Sequence, residues 1–193
     1  MPAELRLKDP LSIITLPMAG REGPLPWETS FAWPRSGDVQ LPFHGENRDA
    51  RHVWASRLDQ AVAQADRAGL LVAETAACLA AIWWARLSPS QYVDKVAGAL
   101  LFHPPSVDLL DRSSGQLFAS PDSALPFPSL IVDPADHGGA LARSCGGHLL
   151  HAPATPPMAT GMWRQAQRLI ERLSAGVVEQ DLRLLRTLGL SEH

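Results

Sequence analysis

The sequence is short of the features that mark several classes of protein. It has two cysteines, Cys78 and Cys145, far apart in the chain. A disulfide framework is therefore not indicated, and a reducing cytoplasm fits. The formal net charge is only −3, with Lys and Arg scattered. Without a basic patch, no nucleic-acid partner and no anionic membrane surface is expected. The longest apolar stretch, Ala76 to Ala85, is too short to span a bilayer. No apolar run follows Met1-Pro2-Ala3-Glu4-Leu5-Arg6, so no secretory leader is expected. Internal repeats and low-complexity segments are also missing. What is present is a 46% apolar content over 193 residues, enough for one well-buried core in a soluble, cytoplasmic domain.

The apolar pattern alternates between short runs and helical periods. Ser12 to Leu16 reads as a buried strand stopped by Pro17. Residues 18–37 read as an ordered loop with a short helix near Trp27, and Asp38 to Leu41 as a weaker strand. Trp54, Leu58, Ala61, Val62 and Ala65 mark a helix over 49–66, capped by Asn47 or Asp49. Strands follow at Leu70–Ala73, Val96–Phe102, Pro128–Val132 and His148–His151. Helices fall at about 76–86, at Ala140–Cys145 and around Met162 to Leu173. Continuous apolar strands alternating with helices predict a parallel sheet covered on both faces. The tail, 174–193, carries Val178, Leu182 and Leu185 on one helical face. It is expected as an amphipathic helical extension to a domain spanning 1–173. It packs on its own domain or serves as a docking or homodimer element.

The segment Leu70 to Ala80 reads as a strand turning sharply into a small-residue helix. An α/β-hydrolase carries its nucleophile elbow, small-x-Ser-x-small, in that setting. The five residues here are Ala73-Glu74-Thr75-Ala76-Ala77, so the frame is kept and the serine is replaced. The expected fold is an α/β-hydrolase-like three-layer sandwich with a mostly parallel sheet and no large lid.

Several segments together resemble the small serine hydrolases related to retinoblastoma-binding protein nine. They are Leu16-Pro17 with Gly23-Pro24-x-x-Trp27, then Trp54-x-x-x-Leu58-Asp59-x-Ala61-Val62, and Leu71-Val72-Ala73-x-x-x-x-Cys78-Leu79-Ala80. Val96 to Leu101 with Pro104-Pro105, and Leu125 to Val132, complete the match. The resemblance implies a serine hydrolase fold over residues 11–173, with no cofactor. It also implies where chemistry would sit. Thr75 takes the nucleophile position, Glu74 that of a preceding His, and Ala77 that of a Gly. Met18 replaces a Gly of the oxyanion loop. Met18, Glu74 and Ala76 would therefore line the oxyanion side. The acid is expected just after Val132, where Asp133, Asp136 and His137 stand, with Asp136 in the best register. The family's catalytic His has no counterpart in Ala154 to Met158, and His151 is the nearest substitute.

These departures fall on the positions that do chemistry. An elbow nucleophile adopts positive φ, which β-branched Thr tolerates poorly, so the elbow is expected to relax to ordinary φ. A hydroxyl without a base is a weak nucleophile. The leading expectation is a protein that no longer hydrolyses and acts by binding a small acyl-like ligand or a protein. The alternative is an esterase or amidase using Thr75, His151 and Asp136. His148 and His151, three apart in a strand, point to opposite faces and are not expected to share a metal. Cys78 is expected in the core, and Trp83-Trp84 between helix and sheet.

Overall fold

The computed structural model describes residues 11–31, 33–45, 47–105, 116–133 and 138–151, with isolated helical positions at 168, 171, 172 and 175. The remaining residues include Asp136, His137 and nearly all of the C-terminal extension, so expectations about them lie outside the described part.

The chain runs through β1 (Ser12–Leu16), α1 (Pro26–Phe31), β2 (Val39–Gln40), α2 (Arg48–Gln64), β3 (Gly69–Glu74) and α3 (Ala76–Leu87). Then follow α4 (Ser90–Val93), β4 (Val96–Phe102), β5 (Ser129–Asp133), α5 (Gly139–Cys145) and β6 (His148–His151). The six strands among the described residues are all parallel, in the order β2-β1-β3-β4-β5-β6. The expected sheet is therefore observed, and the helices expected at 49–66, 76–86 and 140–145 start and stop within about two residues of expectation. The short α4 was not expected, and the helix expected around Met162 to Leu173 lies largely outside the described residues. Asn47 is the cap of α2, its side chain accepting from the Ala50 N–H at 2.9 Å.

Alternation along the strands divides the core in two. Ile14, Leu16, Leu71, Ala73, Ala99, Leu101 and Ile131 point to one face, where Trp54, Leu58 and Val62 of α2 and the buried residues of α3 cover them. Ile13, Leu70, Val72, Leu100, Phe102, Leu130 and Val132 point to the other, against Leu25, Trp27 and Trp33. Continuous apolar strands need cover on both sides, and this is how the chain supplies it. α2 and α3 are tied across their faces by the Trp84 indole, which donates to Asp59 Oδ1 at 2.7 Å. Among the described residues, no helix is long and apolar enough to cross a membrane.

The strand order places one feature of functional weight. The chain leaves β1 for β2 on one side and later enters β3 on the other. The C-terminal ends of β1 and β3 therefore flank a topological switch point, where open α/β sheets form their crevices.

Candidate active site

Thr75 alone turns the chain from β3 into α3. It does so at φ 46°, ψ −126°. This corrects the expectation of a relaxed elbow: the left-handed turn survives the β-branched residue. The cause is the packing on either side. β3 is fully buried, Ala77 and Cys78 are fully buried in the first turn of α3, and the Thr75 N–H bonds to Phe102 O at 2.9 Å. With strand and helix both fixed, the single residue between them has no other conformation. Such a backbone costs about 1–3 kcal/mol. The Thr75 hydroxyl oxygen is buried, caps nothing and has no hydrogen-bond partner among the described residues.

Glu74, the last residue of β3, is completely buried. A carboxylate in such a place must be paired and hydrogen-bonded. Its Oε1 accepts from the Met18 N–H at 3.2 Å, and its Oε2 forms an ion pair with Arg21. Arg21 is one-third exposed, at 34% of its side-chain area, so the pair runs from the interior out to solvent. The structure thus joins Met18 and Glu74, two residues singled out from the sequence, through one hydrogen bond. Arg21 is a third member that sequence reasoning missed. The signal was present, since a buried acid needs a cation and Arg21 is the first one after β1. The Ala76 N–H opens α3, where the first amides of a helix have no intrahelical acceptor. It stands on the other side of Thr75.

Strand register aligns the remaining groups. Leu16 pairs with Ala73, Glu74 with Phe102, Phe102 with Val132, and Asp133 with His151. Continuing each ladder past the strand ends puts Met18, Thr75, His103, Asp133 and His151 at one level along the C-terminal edge. Neighbouring strands lie about 4.8 Å apart. His103 continues the ladder through its N–H to Val132 O at 2.8 Å and has φ 49°, the second positive-φ residue that is not glycine among those described. Its imidazole pKa is pulled below the ordinary value, first by desolvation. The Asp133 charge works against that pull and the Arg21 charge adds to it. Asp133 is buried, and its Oδ2 accepts from the Gly138 N–H at 2.7 Å. A side chain at Gly138 would meet Ile131 Cγ2 at 2.8 Å, so the close approach that makes this bond requires glycine.

Of the three residues considered for catalysis, Thr75 is placed at the elbow and His151 in the edge strand β6 by its backbone. Asp136 falls outside the described residues. His103 was not singled out from the sequence, because a His before Pro104-Pro105 carries no motif. Only the strand register reveals its neighbours. Cys78 is in the core as expected, its thiol donating to Phe102 O at 3.4 Å and its pKa pushed strongly upward by burial. Among the described residues no cluster of His, Cys, Asp and Glu has the make-up of a metal site.

Two of the cavities among the described residues open at the surface, and neither of these two is lined by Thr75. A cleft of about 380 Å³ lies against the first loop, between Met18, Arg21, Leu25 and Glu28 on one side and Gln40, Pro42 and His44 on the other. A larger one, about 680 Å³, is at the opposite end of the strands, beside Ser12, Asp38 and Arg67.

A parallel sheet with a sharp strand-to-helix elbow at its switch point defines the α/β-hydrolase class of fold. The serine hydrolase family model matches residues 23–138, more than half of the 193-residue chain and including the elbow. The chain belongs to the serine hydrolase family. Among solved structures it is similar to a YdeN-like hydrolase from Pectobacterium atrosepticum, with 15% identity and a TM-score of 0.60. That alignment covers 84% of this chain and 92% of the other, and it shows a shared fold. A weaker likeness is to the RedJ thioesterase of prodiginine biosynthesis in Streptomyces coelicolor, with 13% identity and a TM-score of 0.49 over 87% and 91% of the two chains. No curated protein sequence matches the chain.

Proposed function

We propose that this chain is a non-hydrolysing member of the serine hydrolase family, similar in type to the relatives of retinoblastoma-binding protein nine, and that it acts by binding. One observation carries the reading: the Glu74 carboxylate already sits on the Met18 N–H. In an acyl-transfer site, a donor at this loop would receive the oxygen on which negative charge develops. Here a fixed negative charge holds the donor in the resting state, and Arg21 holds that charge in place. A tetrahedral oxyanion would meet a carboxylate instead of a donor. The Thr75 hydroxyl, buried and without a hydrogen-bond partner among the described residues, points the same way, since a nucleophile must be reached by its substrate. The proposed ligand is a small, uncharged acyl-like molecule in the 380 Å³ cleft beside the first loop, which falls in the size range of small-molecule sites. The C-terminal extension remains the proposed element for a protein partner or a homodimer, and the proposed location is the cytoplasm.

The retained elbow favours a second reading. Strain at a single residue persists where surrounding structure enforces it, and it clusters at working sites. Thr75 at φ 46° is such a residue, and it keeps open an ester or amide hydrolase with Thr75 as nucleophile.

Two measurements test the proposal together. Turnover of p-nitrophenyl butyrate by the folded protein is expected to equal that of Thr75→Ala. Methyl butyrate is expected to shift the amide resonances of Met18 to Arg21. Turnover that Thr75→Ala removes would establish the second reading, and unmoved resonances at millimolar methyl butyrate would overturn the proposed ligand class.

A further inference from the structure

We propose that His103 is the proton acceptor for a hydroxyl at position 75 and that Asp133 is its positioning carboxylate, so that the β4 edge carries the imidazole of this site. The inference rests on Thr75 being the nucleophile position and on Glu74 being the obstruction.

Three observations support it. The first is register. Thr75, His103 and Asp133 end three adjacent parallel strands at one level, locked by Thr75 N–H to Phe102 O at 2.9 Å and His103 N–H to Val132 O at 2.8 Å. A hydroxyl, an imidazole and a carboxylate therefore follow one another across about 10 Å of sheet edge. This is the order a nucleophile, its base and the orienting acid require. The second is conformation. Thr75 and His103 are the two non-glycine residues with positive φ among those described, and they are neighbours across the ladder. Left-handed backbone at a bulky residue is costly, and here it occurs twice at the same place. The third is electrostatics. The charged groups that act on the His103 ring are Asp133 from β5 and Arg21 from the first loop, with Arg21 tied in turn to Glu74 at the end of β3. Desolvation and Arg21 outweigh Asp133 and pull the imidazole pKa below its ordinary value, which favours the neutral form that accepts a proton.

In the resting structure the imidazole makes no hydrogen bond to the Thr75 hydroxyl, and the Met18 N–H is taken. Replacing the two obstructing residues is therefore expected to expose a working pair. In the Glu74→Ala/Thr75→Ser variant, the serine hydroxyl oxygen at position 75 attacks a fluorophosphonate at phosphorus. The O–P bond forms, fluoride leaves, and the hydroxyl proton passes to the neutral ring of His103.

The experiment measures labelling of that double variant by a fluorophosphonate probe, after circular dichroism has shown it folded. Labelling at position 75 is expected, and adding His103→Gln is expected to slow it about a hundred-fold or more. Labelling that His103→Gln leaves unchanged, or no labelling of the folded double variant, would overturn the inference. A second measurement, on the otherwise unaltered chain, covers a double variant that fails to fold. The His103 ring is titrated by NMR in the parent, in Asp133→Asn and in Arg21→Ala. The pKa is expected to fall in the first variant and rise in the second, and an unmoved pKa in both would overturn the inference. Ester turnover by the unaltered chain that His103→Gln removes would sink the non-hydrolysing reading while keeping this one.

Discussion

Replacing Thr75 by glycine is expected to stabilise the protein, although it removes a side chain from a half-buried position. The elbow holds Thr75 at φ 46°, where a residue with a Cβ is strained by about 1–3 kcal/mol and glycine is not. The substitution also removes a buried hydroxyl with no hydrogen-bond partner among the described residues, whose desolvation costs about 1–3 kcal/mol. Two effects oppose these gains. Glycine adds about 0.5–1 kcal/mol of backbone entropy to the unfolded chain. The lost methyl forfeits about 0.8 kcal/mol of apolar burial. The balance favours glycine, by roughly 2 kcal/mol at the middle of these ranges. For a domain of this size, each kcal/mol raises the melting temperature by about 2–4 °C. Urea unfolding of Thr75→Gly beside the parent gives the sign, provided the slope is unchanged. Thr75→Ala, which keeps a Cβ at the strained position, should fall between the two. A lower midpoint for Thr75→Gly would refute the reasoning, because it would mean that the elbow stores no strain.

Two further expectations concern buried charge and thiols. Arg21→Ala leaves the Glu74 carboxylate buried with only the Met18 N–H, so it should destabilise by about 3 kcal/mol in urea unfolding, more than Glu74→Gln, which keeps the volume and removes the charge. Equal losses would show that the pair is no buried ion pair. Burial pushes the Cys145 thiol up to about 11 and Cys78 higher still, so neither thiol should react with iodoacetamide at pH 8 until urea is added. The folded state holds these protons more tightly than the unfolded one. Stability from this source is therefore complete below the ordinary thiol pKa and falls as pH rises toward about 11.

The sheet was legible because its strands are buried on both faces and therefore read as unbroken apolar runs. Leu70 to Ala73 and Leu130 to Val132 could be little else. Trp54, Leu58 and Val62 marked α2 by their spacing, and the same three residues bury it. The elbow was legible as a position but not as a geometry. Local preference says that Thr avoids positive φ, and the fixed strand and helix on either side overrode it. The Glu74–Met18–Arg21 arrangement was half legible. The sequence marked the first two as neighbours of the nucleophile position, but their hydrogen bond joins residues 56 positions apart, and only the folded sheet brings them together. His103 was not legible at all. Its neighbours are set by register between β3, β4 and β5, a property that no single strand carries.

The most direct test of the central claim is intact-mass analysis of the unaltered, folded protein after incubation with a fluorophosphonate. With Glu74 holding the Met18 donor and the Thr75 hydroxyl buried, the mass should stay that of the bare chain. A stoichiometric adduct mapped to Thr75 would contradict the account.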